Sequence, residues 1–90
     1  MDPFTQAVEK IIKEQEAVIG PLALEQAKKV QGLKFSGGKF AVQGNKSKVL
    51  EDLVNQYSRL FGRASVEVCK DAVRPLLSEI PAQEVPSLLK

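Results

Sequence analysis

The chain has 90 residues, of which 43% are hydrophobic and 27% are charged, and this composition is typical of a single globular domain. One cysteine and no histidine exclude an intrachain disulfide, a zinc site of Cys and His ligands, and catalysis by Ser-His-Asp or Cys-His groups. No apolar run approaches the roughly 20 residues of a membrane-spanning helix, and the start of the chain lacks the apolar segment of a signal peptide. We therefore expect a cytoplasmic protein that is not an enzyme and has neither a cofactor nor a metal.

The first five residues, Met1-Asp2-Pro3-Phe4-Thr5, resemble those that a directional-cloning vector leaves at the start of an expressed protein. We therefore exclude residues 1–5 from the predicted domain, which spans residues 6–81. Residues 82–90 follow as a tail or a short C-terminal helix. If the first residues are vector-derived, the chain is an excised domain or a short protein expressed from a fusion.

Two helices are predicted on either side of Gly20-Pro21. Apolar residues at helical spacing predict the first helix over residues 6–19, with Gln15 as the one polar side chain on the apolar stripe. Pro21 interrupts this helix but suits the first turn of another, so the second helix is predicted over residues 21–31. Gly32 is the predicted C-cap of that helix.

A β-hairpin is predicted around Gly37-Gly38, because two glycines allow the positive φ angles of a two-residue hairpin loop. The resulting register pairs Phe35 with Phe40 and places four apolar side chains on one face of the hairpin: Leu33, Phe35, Phe40 and Val42. Lys34 and Lys39 share the other face. Since an isolated hairpin is only marginally stable in water, we expect the phenylalanine face to pack on the helices and the lysine face to point to solvent.

Two further helices complete the predicted fold. The third spans residues 46–61, with Asn45 or Ser47 as its N-cap, and ends at Gly62. The fourth is capped by Ser65, and its apolar stripe extends to residue 80 with a kink or restart at Pro75. The sequence thus predicts a mainly α (α+β) domain of four helices with one inserted β-hairpin, in the order α-α-β-β-α-α.

Positive charge is concentrated in one part of the chain. Between Glu25 and Glu51 there is no acidic residue but there are six lysines: Lys28, Lys29, Lys34, Lys39, Lys46 and Lys48. Residues 32–49 carry a net charge of +4, whereas residues 1–31 and 50–90 each carry −1. A local excess of one sign attracts partners of the opposite sign. We therefore predict that these six lysines dock the acidic surface of a partner protein; the alternative is that they only keep the edge of the sheet soluble.

Nucleic-acid binding through the same basic patch is the alternative function. Residues 53–74 have the proportions of a helix-turn-helix, in which Lys70 and Arg74 of the fourth helix would contact nucleic acid. Arg59 and Arg63 could instead join the lysines of the hairpin in an RNA- or phosphate-binding surface. The exposed positions of the fourth helix hold as many acids as bases, which does not favour phosphate contacts. Phe35 and Phe40 would stack on bases only if they faced outward. A third hypothesis is oligomerisation through apolar area on the first helix or the C-terminal tail.

Two segments of the chain form a recognisable pattern: Val18-Ile19-Gly20-Pro21-Leu22-Ala23 with Ala27 following, and residues 50–72 with their Leu-Val-X-X-Tyr-X-X-Leu-Phe-Gly-Arg-Ala-Ser run. Together they resemble a small helical domain of bacterial, especially cyanobacterial, signalling-associated proteins. In that family an Ile-Gly-Pro bend precedes a helix, and the domain accompanies kinase, cyclase or receiver modules. The resemblance implies a regulatory or docking module without catalytic residues. The predicted hairpin departs from the purely helical domain of that family.

Overall fold

The computed structural model describes residues 2–90 as four α-helices and a two-stranded antiparallel hairpin, in the predicted order α-α-β-β-α-α. The elements are α1 (Pro3–Ile19), α2 (Leu22–Ala27), β1 (Leu33–Ser36), β2 (Lys39–Val42), α3 (Lys46–Phe61) and α4 (Arg63–Val73). Three 3-10 segments follow, over Arg74–Glu79, Ala82–Glu84 and Ser87–Leu89. Within residues 2–90, no helix combines the length and the hydropathy that crossing a bilayer requires.

Helix α1 begins at Pro3, three residues before the predicted start, because Asp2 caps it. The Asp2 carboxylate accepts hydrogen bonds from the backbone amide of Thr5 at 2.9 Å and from the Thr5 hydroxyl at 2.8 Å. Pro3 occupies the first turn, where a missing N–H has no cost. Thr5 is buried and Phe4 packs against the core, so residues 2–5 are part of the folded unit. Whether they are vector-derived stays a prediction.

Helix α2 ends at Ala27, four residues before the predicted end. The amides of Lys29 and Val30 bond to carbonyls three residues earlier, Lys29 to Gln26 at 3.1 Å and Val30 to Ala27 at 3.0 Å, so the chain tightens into turns. Gly32 is therefore not the C-cap, which is Lys28. Instead Gly32 adopts a positive φ of 88° and directs the chain into β1.

The hairpin has the predicted register, with Phe35 opposite Phe40 and Leu33 opposite Val42. Leu33 is buried, and Phe40 and Val42 pack against the core. Phe35 is 37% exposed, so the prediction that the whole phenylalanine face is packed on helices was wrong at this residue. The reason is the position of the strands, since β2 makes the main contact with α1 and β1 lies outside it.

Helices α3 and α4 meet at Gly62, which ends one helix and precedes the other with a φ of 81°. Asn45 caps α3 as predicted, with its side chain accepting a 3.1 Å hydrogen bond from the amide of Lys48. The predicted capping role of Ser65 was wrong, because α4 already begins at Arg63 and Ser65 is buried within it. Helix α4 ends at Val73 and the chain restarts as a 3-10 helix with Pro75 in its first turn, which is one of the two outcomes predicted at Pro75.

The core forms where α1 packs against α4 most extensively, with α3 and α2 closing the remaining sides. Its largest fully buried side chains are Tyr57, Ile11, Ile12, Leu50 and Leu53. The C-terminal residues Val85 and Leu89 are also buried. Residues 82–90 thus pack on the domain as two short 3-10 turns, and the Ser47 hydroxyl donates a 2.6 Å hydrogen bond to the carbonyl of Glu84 in the first of them.

Candidate functional site

Two of the six predicted docking lysines are ion-paired within the chain. The Lys46 ammonium lies 3.1 Å from an Asp2 carboxylate oxygen, and the Lys48 ammonium lies 3.5 Å from Asp52 one helical turn away. The backbone hydrogen bond from Thr5, together with the Thr5 hydroxyl and the Lys46 ammonium, holds the pKa of the Asp2 carboxyl well below its usual range. Lys46 is therefore engaged at the end of the domain where α1 and α3 begin.

The four remaining lysines surround the hairpin and are exposed: Lys28, Lys29, Lys34 and Lys39. We call these four the hairpin lysines. No ion pair joins any of them to an acidic group among residues 2–90. Lys34 and Lys39 lie on the hairpin face opposite the phenylalanines, whereas the Lys28 ammonium lies 5.5 Å from the centre of the Phe35 ring. Positive charge therefore extends over both faces of the hairpin.

A groove follows one face of α3, between this helix and the chain that leads from α2 into the hairpin. It consists of two adjoining cavities of about 540 and 520 Å³, which share Gln31 and Asp52. One wall comes from α3 and its N-cap, at helical spacing: Asn45, Lys48, Asp52, Asn55 and Arg59. The opposite wall comes from Lys29, Gln31, Lys34 and Gln43. We call this the α3 groove.

Charge in the α3 groove is concentrated at its two ends. Lys29 and Arg59 line one cavity, and Lys34 and Lys48 line the other. Asp52 lies between the two ends and pairs with Lys48. Among the described residues that line the groove, four cations thus face one carboxylate, an excess of three positive charges. A positive excess of this kind suits an anionic ligand.

Arg59 lines this groove, whereas the sequence grouped it with the lysines of the hairpin only as part of a nucleic-acid-binding surface. Its guanidinium donates a 2.6 Å hydrogen bond to the side-chain oxygen of Gln56, one turn earlier on α3. A signal for its place was present in the sequence, since Lys48, Asp52 and Arg59 recur at spacings that put them on one face of a helix. What the sequence did not show is that this face meets Lys29 and Lys34.

The four predicted nucleic-acid residues do not form one surface, since only Arg63 and Lys70 line a common depression. Lys70 lies 3.6 Å from Glu67, and Arg74 lies 2.9 Å from Asp71, both on the same stretch of chain. Arg63 lines a separate depression with Lys70 beside the C-terminal residues, and Arg59 lines the α3 groove. Helices α3 and α4 are joined by Gly62 alone, whereas a helix-turn-helix has a turn of about three or four residues.

The single cysteine lies in the core, as its position on the apolar stripe predicted. Cys69 is buried, and burial raises the pKa of its thiol to about 11, so at neutral pH it lacks the thiolate that acts as a nucleophile. The Gln15 amide nitrogen lies 3.4 Å from the Cys69 sulfur and donates a 2.9 Å hydrogen bond to the carbonyl of Ser65. No three His, Cys, Asp or Glu side chains among residues 2–90 are grouped so as to hold a metal ion.

Comparisons with known proteins found no relative of this chain. No protein-family model matches it. No curated protein matches it in sequence, and no solved structure matches it. The resemblance to a bacterial signalling-associated helical domain therefore stays a prediction, and function must be argued from the surface of the molecule.

Proposed function

We propose that this domain is a non-enzymatic interaction module that docks the acidic surface of a partner protein in a regulatory assembly. The observation that carries the proposal is the state of the hairpin lysines, which stay exposed and without an acidic partner in residues 2–90. Other basic side chains of the chain, such as Lys46, Lys70 and Arg74, have carboxylates within 4 Å. Unpaired charges of one sign steer and orient association with a surface of opposite sign.

The chemistry of the chain supports a binding role over a catalytic one. There is no histidine to act as a general base near neutral pH, and the one thiol is buried. The exposed groups around the hairpin include ammonium groups and side-chain amides, which bind anions and peptide groups. These properties are typical of a surface that recognises a partner.

The proposal is tested by capturing partners from a nuclease-treated native lysate with the immobilised protein. The test variant reverses three hairpin lysines: Lys28→Glu, Lys34→Glu and Lys39→Glu. The matched control reverses three basic side chains that are also exposed and are not ion-paired within residues 2–90: Lys10→Glu, Arg63→Glu and Lys90→Glu. A captured protein is then purified and its affinity measured against all three proteins.

We expect an acidic protein that binds the wild type and the control variant but not the hairpin variant. Its affinity should fall with salt, because the exposed charges are screened beyond about 10 Å at 0.1 M ionic strength. Equal binding to all three proteins would show that the hairpin lysines are only a solvated surface. Equal loss in both variants would show that net charge, and not this surface, determines binding.

Binding to single-stranded nucleic acid is the second candidate, because Phe35 proved to be exposed. Phe35 is 37% exposed and its ring lies beneath the Lys28 ammonium, and exposed aromatic rings beside cations are platforms for base stacking. The Phe40 ring lies 4.7 Å from it and is only partly buried. In this case a labelled oligothymidine should bind with a steep salt dependence, and Phe35→Ala should weaken it about tenfold. No binding at low salt would exclude this candidate.

A further inference from the structure

We infer that the α3 groove is a recognition site for an extended acidic peptide segment, with acidic residues at both ends and a neutral centre. This inference rests on the proposed function, since it names the part of the partner that the basic surface recognises. It also adds Arg59 to that surface, although this residue lies far in sequence from the hairpin lysines. The argument follows from the length, the charge distribution and the polar lining of the groove.

The length of the groove suits a short extended peptide. It follows α3 from its N-cap Asn45 to Arg59, and fourteen residues of α-helix rise about 21 Å. An extended peptide advances about 3.3 Å per residue, so about six residues cover this distance. An extended segment of about six residues therefore covers the groove from end to end.

The charge distribution determines where acids are needed. Lys29 and Arg59 line one end, Lys34 and Lys48 line the other, and the carboxylate of Asp52 lies between them. From Lys48 to Arg59 the helix rises about 16 Å, which corresponds to about five residues of extended chain. Acids about five residues apart would each meet two cations, and an acid between them would be repelled by Asp52. The groove thus favours one spacing of charges.

The polar lining favours a peptide over a nucleic acid. The side chains of Gln31, Gln43 and Asn55 line the groove and have no hydrogen-bond partner within residues 2–90. Side-chain amides offer both donors and an acceptor, which match the alternating N–H and C=O groups of an extended backbone. None of the described residues that line the groove is aromatic, so bases would find nothing to stack on.

The test measures fluorescence anisotropy of a labelled peptide, Glu-Glu-Ser-Ser-Ser-Glu-Glu, at low salt. A second peptide with the same composition, Ser-Glu-Glu-Glu-Glu-Ser-Ser, places the acids in the centre. The protein variants are Arg59→Glu, which lies in the groove, and Lys10→Glu, which lies on α1 outside both the groove and the hairpin lysines. Both change the charge by the same amount at an exposed side chain, and circular dichroism confirms that each is folded.

We expect the first peptide to bind more tightly than the second, and Arg59→Glu to weaken it at least about tenfold while Lys10→Glu changes it less than about threefold. Equal affinity for both peptides, equal effects of both variants, or no binding would overturn the peptide site. If the hairpin variant nevertheless loses its captured protein, the proposed function stands without this groove. If a labelled oligothymidine binds more tightly and is lost with Arg59→Glu, the groove is a nucleic-acid site.

Discussion

Gly32 meets Gln43 at the base of the hairpin, where the Gly32 carbonyl accepts a 2.8 Å hydrogen bond from the Gln43 amide. A Cβ atom on Gly32 would lie 2.8 Å from the Gln43 carbonyl oxygen and 2.8 Å from Cγ2 of Val49 on α3. This close approach seats the hairpin against α3. The hairpin therefore forms one wall of the α3 groove, and Lys34 lines the same cavity as Lys48.

Gly32→Ala should destabilise the fold by about 2 kcal/mol or more, because it adds a clash with backbone to the strain of a positive φ. The φ angle at Gly32 is 88°. The free energy of unfolding is measured by urea denaturation. Gly32→Ala should also weaken binding of the acidic peptide, since the substitution displaces one wall of the α3 groove.

The matched control is Gly38→Ala, which has a similar φ of 79° but no atom within 4 Å of the added Cβ. Its cost should be about 1 kcal/mol, the strain of the positive φ alone. The difference between the two variants isolates the contact between the hairpin and α3. Equal destabilisation by both substitutions would show that this contact is loose.

Asp2→Ala should cost about 1 kcal/mol at pH 7, because it removes the cap of α1 and the partner of Lys46. The folded-state pKa of Asp2 lies below its ordinary value of 3.8, so the ionised form stabilises the fold above about pH 4. This contribution is lost as the pH falls through the folded-state pKa. Urea denaturation from pH 7 to pH 2 should show the gap to the wild type closing below about pH 4.

Asp2→Asn is the control for that prediction, since asparagine also caps helices but cannot ionise. It should lose less stability at pH 7 than Asp2→Ala. A gap between wild type and Asp2→Ala that stays constant down to pH 2 would contradict the assignment of Asp2 as an ionised cap.

Tyr57→Phe should cost about 1 kcal/mol at pH 7. Tyr57 is fully buried, and its hydroxyl donates a 2.6 Å hydrogen bond to the carbonyl of Ala23, which joins α3 to α2. Burial raises the pKa of Tyr57 above its ordinary value of 10.0. The wild type should therefore lose stability above about pH 10, where the unfolded tyrosine ionises and the folded one does not.

The comparison of wild type with Tyr57→Phe isolates this effect, because the two proteins differ only in the Tyr57 hydroxyl. Denaturation at pH 7, 9, 10 and 11 should show Tyr57→Phe approaching the wild type as the pH rises. Two parallel curves would mean that the Tyr57 hydroxyl ionises as readily in the folded protein as in the unfolded chain.

Gln15→Met should change the free energy of unfolding by less than about 1 kcal/mol, although Gln15 is fully buried. The amide nitrogen bonds to the carbonyl of Ser65, but the amide oxygen is buried without a hydrogen-bond partner in residues 2–90. The gain from one bond is offset by the cost of the orphan oxygen, and methionine fills a similar volume.

Gln15→Ala is the control, because it leaves a cavity between α1 and α4 and should cost about 2 kcal/mol or more. Thermal denaturation of both variants separates the role of shape from that of the hydrogen bond. A loss as large for methionine as for alanine would show that the bond from Gln15 to Ser65 determines how these helices pack.

The sequence predicted the parts of the fold that depend on residues close to one another along the chain. The register of the hairpin follows from Gly37-Gly38 and the alternation around them, and the cap of α3 follows from Asn45. The end of α2 was not predicted, because Lys28 to Gln31 continue a helical pattern while tertiary packing draws Leu33 into the core. Local propensity was overridden there by burial.

For the candidate site, the sequence predicted only a local excess of lysines and not their arrangement in space. Lysine enrichment was visible, but the pairing of Lys46 with Asp2 joins residues 44 positions apart and removes one lysine from the set. The meeting of Arg59 with Lys29 also depends on how α3 packs beside the chain that follows α2. No local sequence pattern encodes such a contact, so the α3 groove could be recognised only from the structure.

The account is tested most directly by NMR titration of the ¹⁵N-labelled protein with the peptide Glu-Glu-Ser-Ser-Ser-Glu-Glu. We predict that the largest saturable shifts of backbone amides fall in residues 29–34 and 45–59, with little change near Lys10 and Lys13. That result would place an acidic ligand in the α3 groove beside the hairpin. Small, non-saturating shifts spread evenly over all exposed lysines would contradict a specific acidic-ligand surface at this site.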